Sequence, residues 1–120
     1  MKMYKVLIVD DERLIRMTLQ NMLDLKELNC DVVAAVKDGI EAYGVFQKVH
    51  PDLIITDLKM PQMDGIELIR KVKEERADTQ IIALSNYSDF ELVRDAMKAG
   101  SSRLFIKKSL LDKETVREKQ

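Results

Sequence analysis

Asp10, Asp11, Asp57, Ser85 and Lys107 are the side chains with the clearest chemical potential in this sequence. Each stands at the end of a short apolar run. Three carboxylates brought together would be costly, because two unit charges about 4 Å apart repel by roughly 4 kcal/mol at an effective dielectric of 20. Such a cluster raises at least one pKa unless a divalent cation relieves it. Magnesium takes oxygen ligands in an octahedron, keeps several waters, and needs only one or two carboxylates. Its other positions can accept phosphate oxygens. A carboxylate can also attack phosphorus and form an aspartyl phosphate. Phosphoryl transfer then needs positioning and cancellation of oxygen charge. Lys107 offers a point charge on a flexible stem, and the Ser85 hydroxyl offers a hydrogen bond.

Taken singly, each residue has a plainer reading. Asp10 or Asp11 could cap a helix. Asp57 and Ser85 could be turn residues, and Lys107 could be a solvated strand end. Their joint placement argues against coincidence.

The elements that must position them alternate five times between an apolar run and an amphipathic stretch. The runs are Lys5–Val9, Asp31–Val36, Leu53–Thr56, Gln80–Leu84 and Leu104–Ile106. They are short and largely unbroken, as suits strands buried on both faces of a parallel sheet. Leu14, Ile15, Leu19, Met22 and Leu23 recur at helical spacing, as do Ile66, Ile69 and Val72, and Phe90, Val93, Ala96 and Met97. These stripes predict core-facing helix surfaces. Asp38 is expected to cap a helix over Gly39–Val49, which Pro51 stops. Asp64-Gly65 opens the third helix, Asp89 caps the fourth, Gly100 ends it, and a fifth runs from about Asp112.

Five βα units imply right-handed crossovers and an open parallel sheet. The expected fold is α/β, and fold-level analogy favours a flavodoxin-like three-layer (βα)5 sandwich with strand order 2-1-3-4-5. Ligands bind such sheets beyond the carboxyl ends of the strands, at the switch point. That rule gathers Asp10, Asp11 and Asp57 into one crevice.

The bulk properties set outer bounds. A chain of 120 residues fits one domain, over residues 1–120, and 46% hydrophobic residues can fill its core. The charged fraction is 34% and the net charge −1, so the domain lacks the basic excess of a nucleic-acid-binding surface. Cys30 is the sole cysteine, which excludes an internal disulfide and reads as a small buried apolar residue. His50 reads as a surface residue. Met60 and Met63 read as adaptable packing, and Arg70–Arg76 as a solvated helix face. No run approaches the ~20 apolar residues of a membrane span, and no signal-peptide core is present. The expectation is a soluble, cytoplasmic protein with no membrane association.

At its chemistry-bearing residues the chain resembles the receiver domain of bacterial two-component response regulators. The segments VLIVDDE, PDLIITDLKMPQMDGIEL, IIALSNYSDF, AMKAG and FIKK carry the resemblance, which spans nearly the whole chain. It implies a phosphoacceptor at Asp57 and a magnesium site at Asp10, Asp11 and Asp57 with the Lys59 backbone carbonyl. It implies a switch hydroxyl at Ser85 and a phosphate-pairing cation at Lys107. It further implies a sensor histidine kinase as donor and a signalling switch rather than an enzyme. Homodimerisation through the fourth helix, fifth strand and fifth helix is the expected output. LSNYSDFELVRDAMKAG followed by KKS is similar to receivers that precede an AraC-type DNA-binding domain. DNA contact would then fall to an output domain for which this chain has no room, leaving a cut-out or stand-alone receiver.

Three positions depart from that pattern. Lys108 follows Lys107 where the family has proline, often cis. A cis bond costs about 0.5–1 kcal/mol before proline and ~2.5–4 elsewhere, so a trans peptide is expected. Leu104 stands where the family has an aromatic switch, and Phe105 beside it faces the other way, toward core or helix. Asn86 is larger than the usual small residue and, with Lys59 and Tyr87, either tunes phosphoryl lifetime or is ordinary loop surface. An unphosphorylated receiver-like adaptor is the main alternative function. An aspartate-based phosphohydrolase is remoter, since the acids here are adjacent and position 12 is Glu12. A flavin or nucleotide carrier lacks its Gly-rich loop.

Overall fold

The computed structural model describes residues 2–24, 28–86 and 90–107. Among the described residues five strands alternate with four helices: β1 Tyr4–Val9, α1 Arg13–Leu23, β2 Cys30–Val36, α2 Gly39–Val49, β3 Leu53–Asp57, α3 Gly65–Glu75, β4 Gln80–Ser85, α4 Phe90–Ala99 and β5 Arg103–Ile106. All strand pairs are parallel, as the apolar runs predict, and the order is β2-β1-β3-β4-β5, as the flavodoxin-like analogy predicts. The expected fifth helix, the Asp89 cap, Tyr87 and the Lys107–Lys108 peptide lie outside the described residues.

Strand alternation splits the core into two layers. Val6 and Ile8 of β1 pack with Ile55, Leu84 and the α1 residues Ile15 and Leu19. Leu7 and Val9 pack on the other face with Ala42 and Phe46 of α2, Leu68, Ile69 and Val72 of α3, and Ala96 of α4. Met60 and Met63 pack against this second layer, in the gap-filling role expected of them.

The helix starts follow their sequence signals. Asp38 Oδ1 accepts from the Glu41 backbone N–H at 2.9 Å, and Asp64 Oδ1 from that of Glu67 at 2.9 Å. Both are Asp-x-x-Glu starts of capping-box type. His50 closes α2 in the left-handed region (φ 51) and is exposed. Gly100 (φ 122) follows α4, a position that suits glycine.

Four expectations about the core need correction. Phe90 is 83% exposed, Leu14 61% and Met97 46%. Phe90 and Leu14 occupy the first turns of their helices, so helical spacing marked their stripe but not its buried length. Cys30 is half-buried on the edge strand β2, its thiol 3.3 Å from the Leu28 carbonyl.

Gln62, in the loop after β3, has φ 67. A left-handed conformation costs an L-residue about 1–2 kcal/mol, whereas glycine there costs roughly 0.5–1 kcal/mol of extra chain entropy. Gln62→Gly should therefore stabilise the protein by about 0.5–1 kcal/mol, read as a higher urea midpoint at constant slope. A lower midpoint would show that the Gln62 side chain holds the loop.

Candidate functional site

The parallel register delivers the reactive side chains to one end of the sheet. Val9 pairs with Thr56, so Asp10 and Asp57 leave adjacent strands side by side. Asp57 pairs with Leu84, and Ser85 with Ile106, which brings Ser85 and Lys107 to the same rim. Asp10, Asp57, Ser85 and Lys107 are all buried.

Lys107 is the hub. Its Nζ donates to Glu12 Oε1 at 2.8 Å, Asp57 Oδ2 at 2.9 Å and Asp10 Oδ1 at 3.4 Å. Asp57 Oδ1 accepts from the Leu58 N–H at 2.8 Å and, at 3.4 Å, from that of Lys59. Asp10 Oδ1 accepts from the Glu12 N–H at 2.8 Å. This bond holds the N-cap residue of α1, Glu12, whose own side chain caps no helix N–H. Asp10 Oδ2 lies 3.1 Å from the ammonium but out of hydrogen-bonding alignment, and among the described residues it is a fully buried oxygen with no hydrogen bond. Arg16 Nη1 fixes the Asp10 carbonyl at 2.6 Å.

The electrostatics follow from burial. Desolvation raises the Asp10 pKa from 3.8 to about 6; the Glu12 amide opposes the rise, Asp57 adds to it and Lys107 reduces it. Desolvation also raises Asp57, against the hydrogen bond and charge of Lys107. For Lys107 desolvation works downward, but hydrogen bonds to Glu12 and Asp57 and the charges of Asp10 and Asp57 outweigh it and raise the pKa.

Carboxylate oxygens of Asp10, Asp11 and Glu12 lie within 4.8 Å of one another. This all-oxygen set, with the unsatisfied Asp10 Oδ2 beside it, fits a hard divalent cation. Asp57 stands outside that trio but is joined to Asp10 by one ammonium. Asp11 and Lys59 line an open cleft of about 380 Å³ with Met60, Pro61, Asp64 and Leu92. The Ser85 hydroxyl donates to the Asn86 carbonyl at 3.1 Å, and among the described residues it has no hydrogen bond to the Asp57 carboxylate. Asn86 is exposed. Leu104 packs on the α2–α4 layer, while Phe105 lines a groove with Leu19, Met22 and Leu23 on the α1 side.

A family model for the response regulator receiver domain matches residues 6–119. The chain belongs to this family. The transcriptional regulatory protein YesN of Bacillus subtilis is 38% identical over 105 residues, covering 88% of this chain and 28% of that protein. The transcriptional regulatory protein HptR of Staphylococcus aureus is 39% identical over 98 residues, covering 82% of this chain and 36% of that protein. The receiver domain thus spans about a third of these relatives. Among solved structures, the receiver domain of AraT, a response regulator from Geobacillus stearothermophilus, superposes with a TM-score of 0.81. It is 28% identical, and 98% of each chain is covered.

Two features of this receiver escape sequence reading. Glu12 is a direct partner of Lys107, and Arg16 braces Asp10. The signal for Glu12 was present as three consecutive acids after β1. Its contact is legible only once β5 is placed two strands beyond β3. Among the described residues no helix is long and apolar enough to cross a membrane.

Proposed function

We propose that Asp57 accepts a phosphoryl group from a phosphohistidine on a sensor kinase, and that this modification switches an output. The observation that carries the reading is the buried Asp57 carboxylate, held by backbone amides on one oxygen and by Lys107 on the other. That arrangement fixes a nucleophile and puts a cation where phosphoryl charge would develop. As the Asp57 oxygen–phosphorus bond forms, the phosphorus–nitrogen bond of the donor breaks. The imidazole nitrogen leaves with the electron pair.

Asp10, Asp11, Asp57 and the Lys59 carbonyl would hold magnesium, which when bound supplies charge neutralisation on the phosphoryl oxygens. Lys107 would pair with a phosphoryl oxygen. Ser85 would exchange the Asn86 carbonyl for another, a small movement that biases α4 and β5. The relatives' names support a transcriptional output. The resemblance of the α4 segment adds a DNA-binding domain of AraC type, and that of the whole receiver adds dimerisation by the α4–β5 face and the C-terminal segment.

Intact-mass measurement after acetyl phosphate and magnesium tests the reading. The wild type should gain about 80 Da, the mass of one phosphoryl group, and Asp57→Asn should gain none. A gain that survives the substitution would move the acceptor elsewhere. No gain in the wild type would favour the unphosphorylated adaptor.

A further inference from the structure

We propose that Glu12 is the resting partner that Lys107 must release before it can pair with a phosphoryl group, so that Glu12 sets how readily the site admits phosphate. The inference rests on the phosphoacceptor reading of Asp57. An ammonium has three donors, and here all three are engaged, by Glu12, Asp57 and Asp10. A phosphoryl oxygen therefore finds no free donor on Lys107 until one carboxylate withdraws.

The three carboxylates differ in how easily they can do so. Asp10 and Asp57 have 0% and 7% of their side chains exposed, and backbone amides pin both. The Glu12 side chain is 54% exposed and caps no helix N–H. Water can solvate its carboxylate once Lys107 turns away, so Glu12 is the partner whose loss costs least. It also adds a negative charge at a rim that must receive an anion. Glu12 is a positioning residue: it acts through Lys107 and touches no reacting atom.

The test follows the rate of acetyl phosphate-driven phosphorylation, with magnesium saturating for each protein as judged by calorimetry. Glu12→Gln should lower the half-saturating acetyl phosphate concentration about threefold to fivefold, the upper part of the range for removing one partly exposed ion pair. The gain should reside in half-saturation rather than in the maximal rate. A damaged α1 start would instead lower the maximal rate. Glu74→Gln, an exposed acid near the far end of α3, should leave half-saturation where it is; an equal fall there would reduce the effect to net charge and overturn the proposal. So would an unchanged or higher value in Glu12→Gln. A double-mutant cycle of Glu12→Gln with Lys107→Gln, followed by urea unfolding without metal, should show coupling, and additive midpoints would likewise overturn it. A wild type that gains no phosphoryl mass fails the acceptor reading itself, an outcome distinct from these.

Discussion

Metal-free protein carrying Asp10→Asn should be more stable than the wild type at pH 7.5 by about 2–3 kcal/mol, and the gain should vanish near pH 4. The Asp10 pKa rises from 3.8 to about 6 on folding because the carboxylate is desolvated. Between those values the native state binds more protons than the unfolded chain, so stability falls as pH rises through the window. The part of the stability present below pH 3.8 is lost by about pH 6, and the full shift corresponds to roughly 3 kcal/mol. Asp57 is raised by the same cause and adds in the same direction. Lys107 does not offset this slope. Its pKa is raised above the ordinary 10.5, so its contribution is present throughout the neutral range and is lost only as pH climbs past that value. Asparagine keeps the oxygen that accepts from the Glu12 amide and removes the charge left poorly satisfied at Oδ2. Urea midpoints at pH 4 and 7.5, with and without magnesium, check the prediction. Magnesium should raise the wild type at pH 7.5 and do less for Asp10→Asn. A variant less stable than wild type at pH 7.5 would show that the ionised carboxylate is a net stabiliser through Lys107. The expected pattern is a stability–function trade-off, in which the receiver tolerates a costly buried charge because that charge would hold the metal of the proposed function.

The sequence discloses the fold more fully than the site, for a physical reason. The central strands β1, β3 and β4, buried on both faces over most of their length, leave unbroken apolar runs, and helix starts leave Asp-x-x-Glu, so these strands and the caps at Asp38 and Asp64 are written locally; the edge strands β2 and β5 are only half-buried. Helix faces are written less completely. Spacing groups Phe90 with Ala96, but only tertiary packing decides that Ala96 is buried and Phe90 exposed. The site is a product of register. Asp10, Asp57 and Lys107 could be nominated because each follows an apolar run. Which oxygen meets which donor depends on β3 lying between β1 and β4. The Glu12–Lys107 contact joins residues 95 apart in sequence, and no local pattern encodes it.

Gly65→Ala should destabilise the receiver by about 1–3 kcal/mol, the usual cost of overpacking, and should slow Asp57 phosphorylation at least tenfold. A Cβ on Gly65 would collide with the Asp57 carbonyl oxygen and stand 2.8 Å from the Leu58 Cα. Those neighbours are backbone and cannot rotate aside. The Gly65 N–H also donates to the Leu58 carbonyl at 3.1 Å, so the start of α3 is sewn to the residue whose own amide holds Asp57 Oδ1. Relief of the collision must push either α3 outward or the end of β3 inward. The second displaces Asp57 from Lys107, where an ångström of misplacement is enough to cost a large factor in rate. Gly39 presses on the same loop from α2: its added Cβ would strike the Met63 carbonyl oxygen and approach the Met63 Cβ to 2.8 Å. Two Asp-Gly helix starts therefore clamp residues 57–65 between them, and the site inherits its geometry from close backbone approach that only glycine permits. Gly39→Ala, which lies farther from Asp57, should cost comparable stability but less rate. Urea unfolding paired with phosphorylation rates under conditions where both variants are fully folded separates the two effects. Equal rate losses would mean that the loop moves as one body, and full activity in folded Gly65→Ala would mean that α3, not β3, gives way.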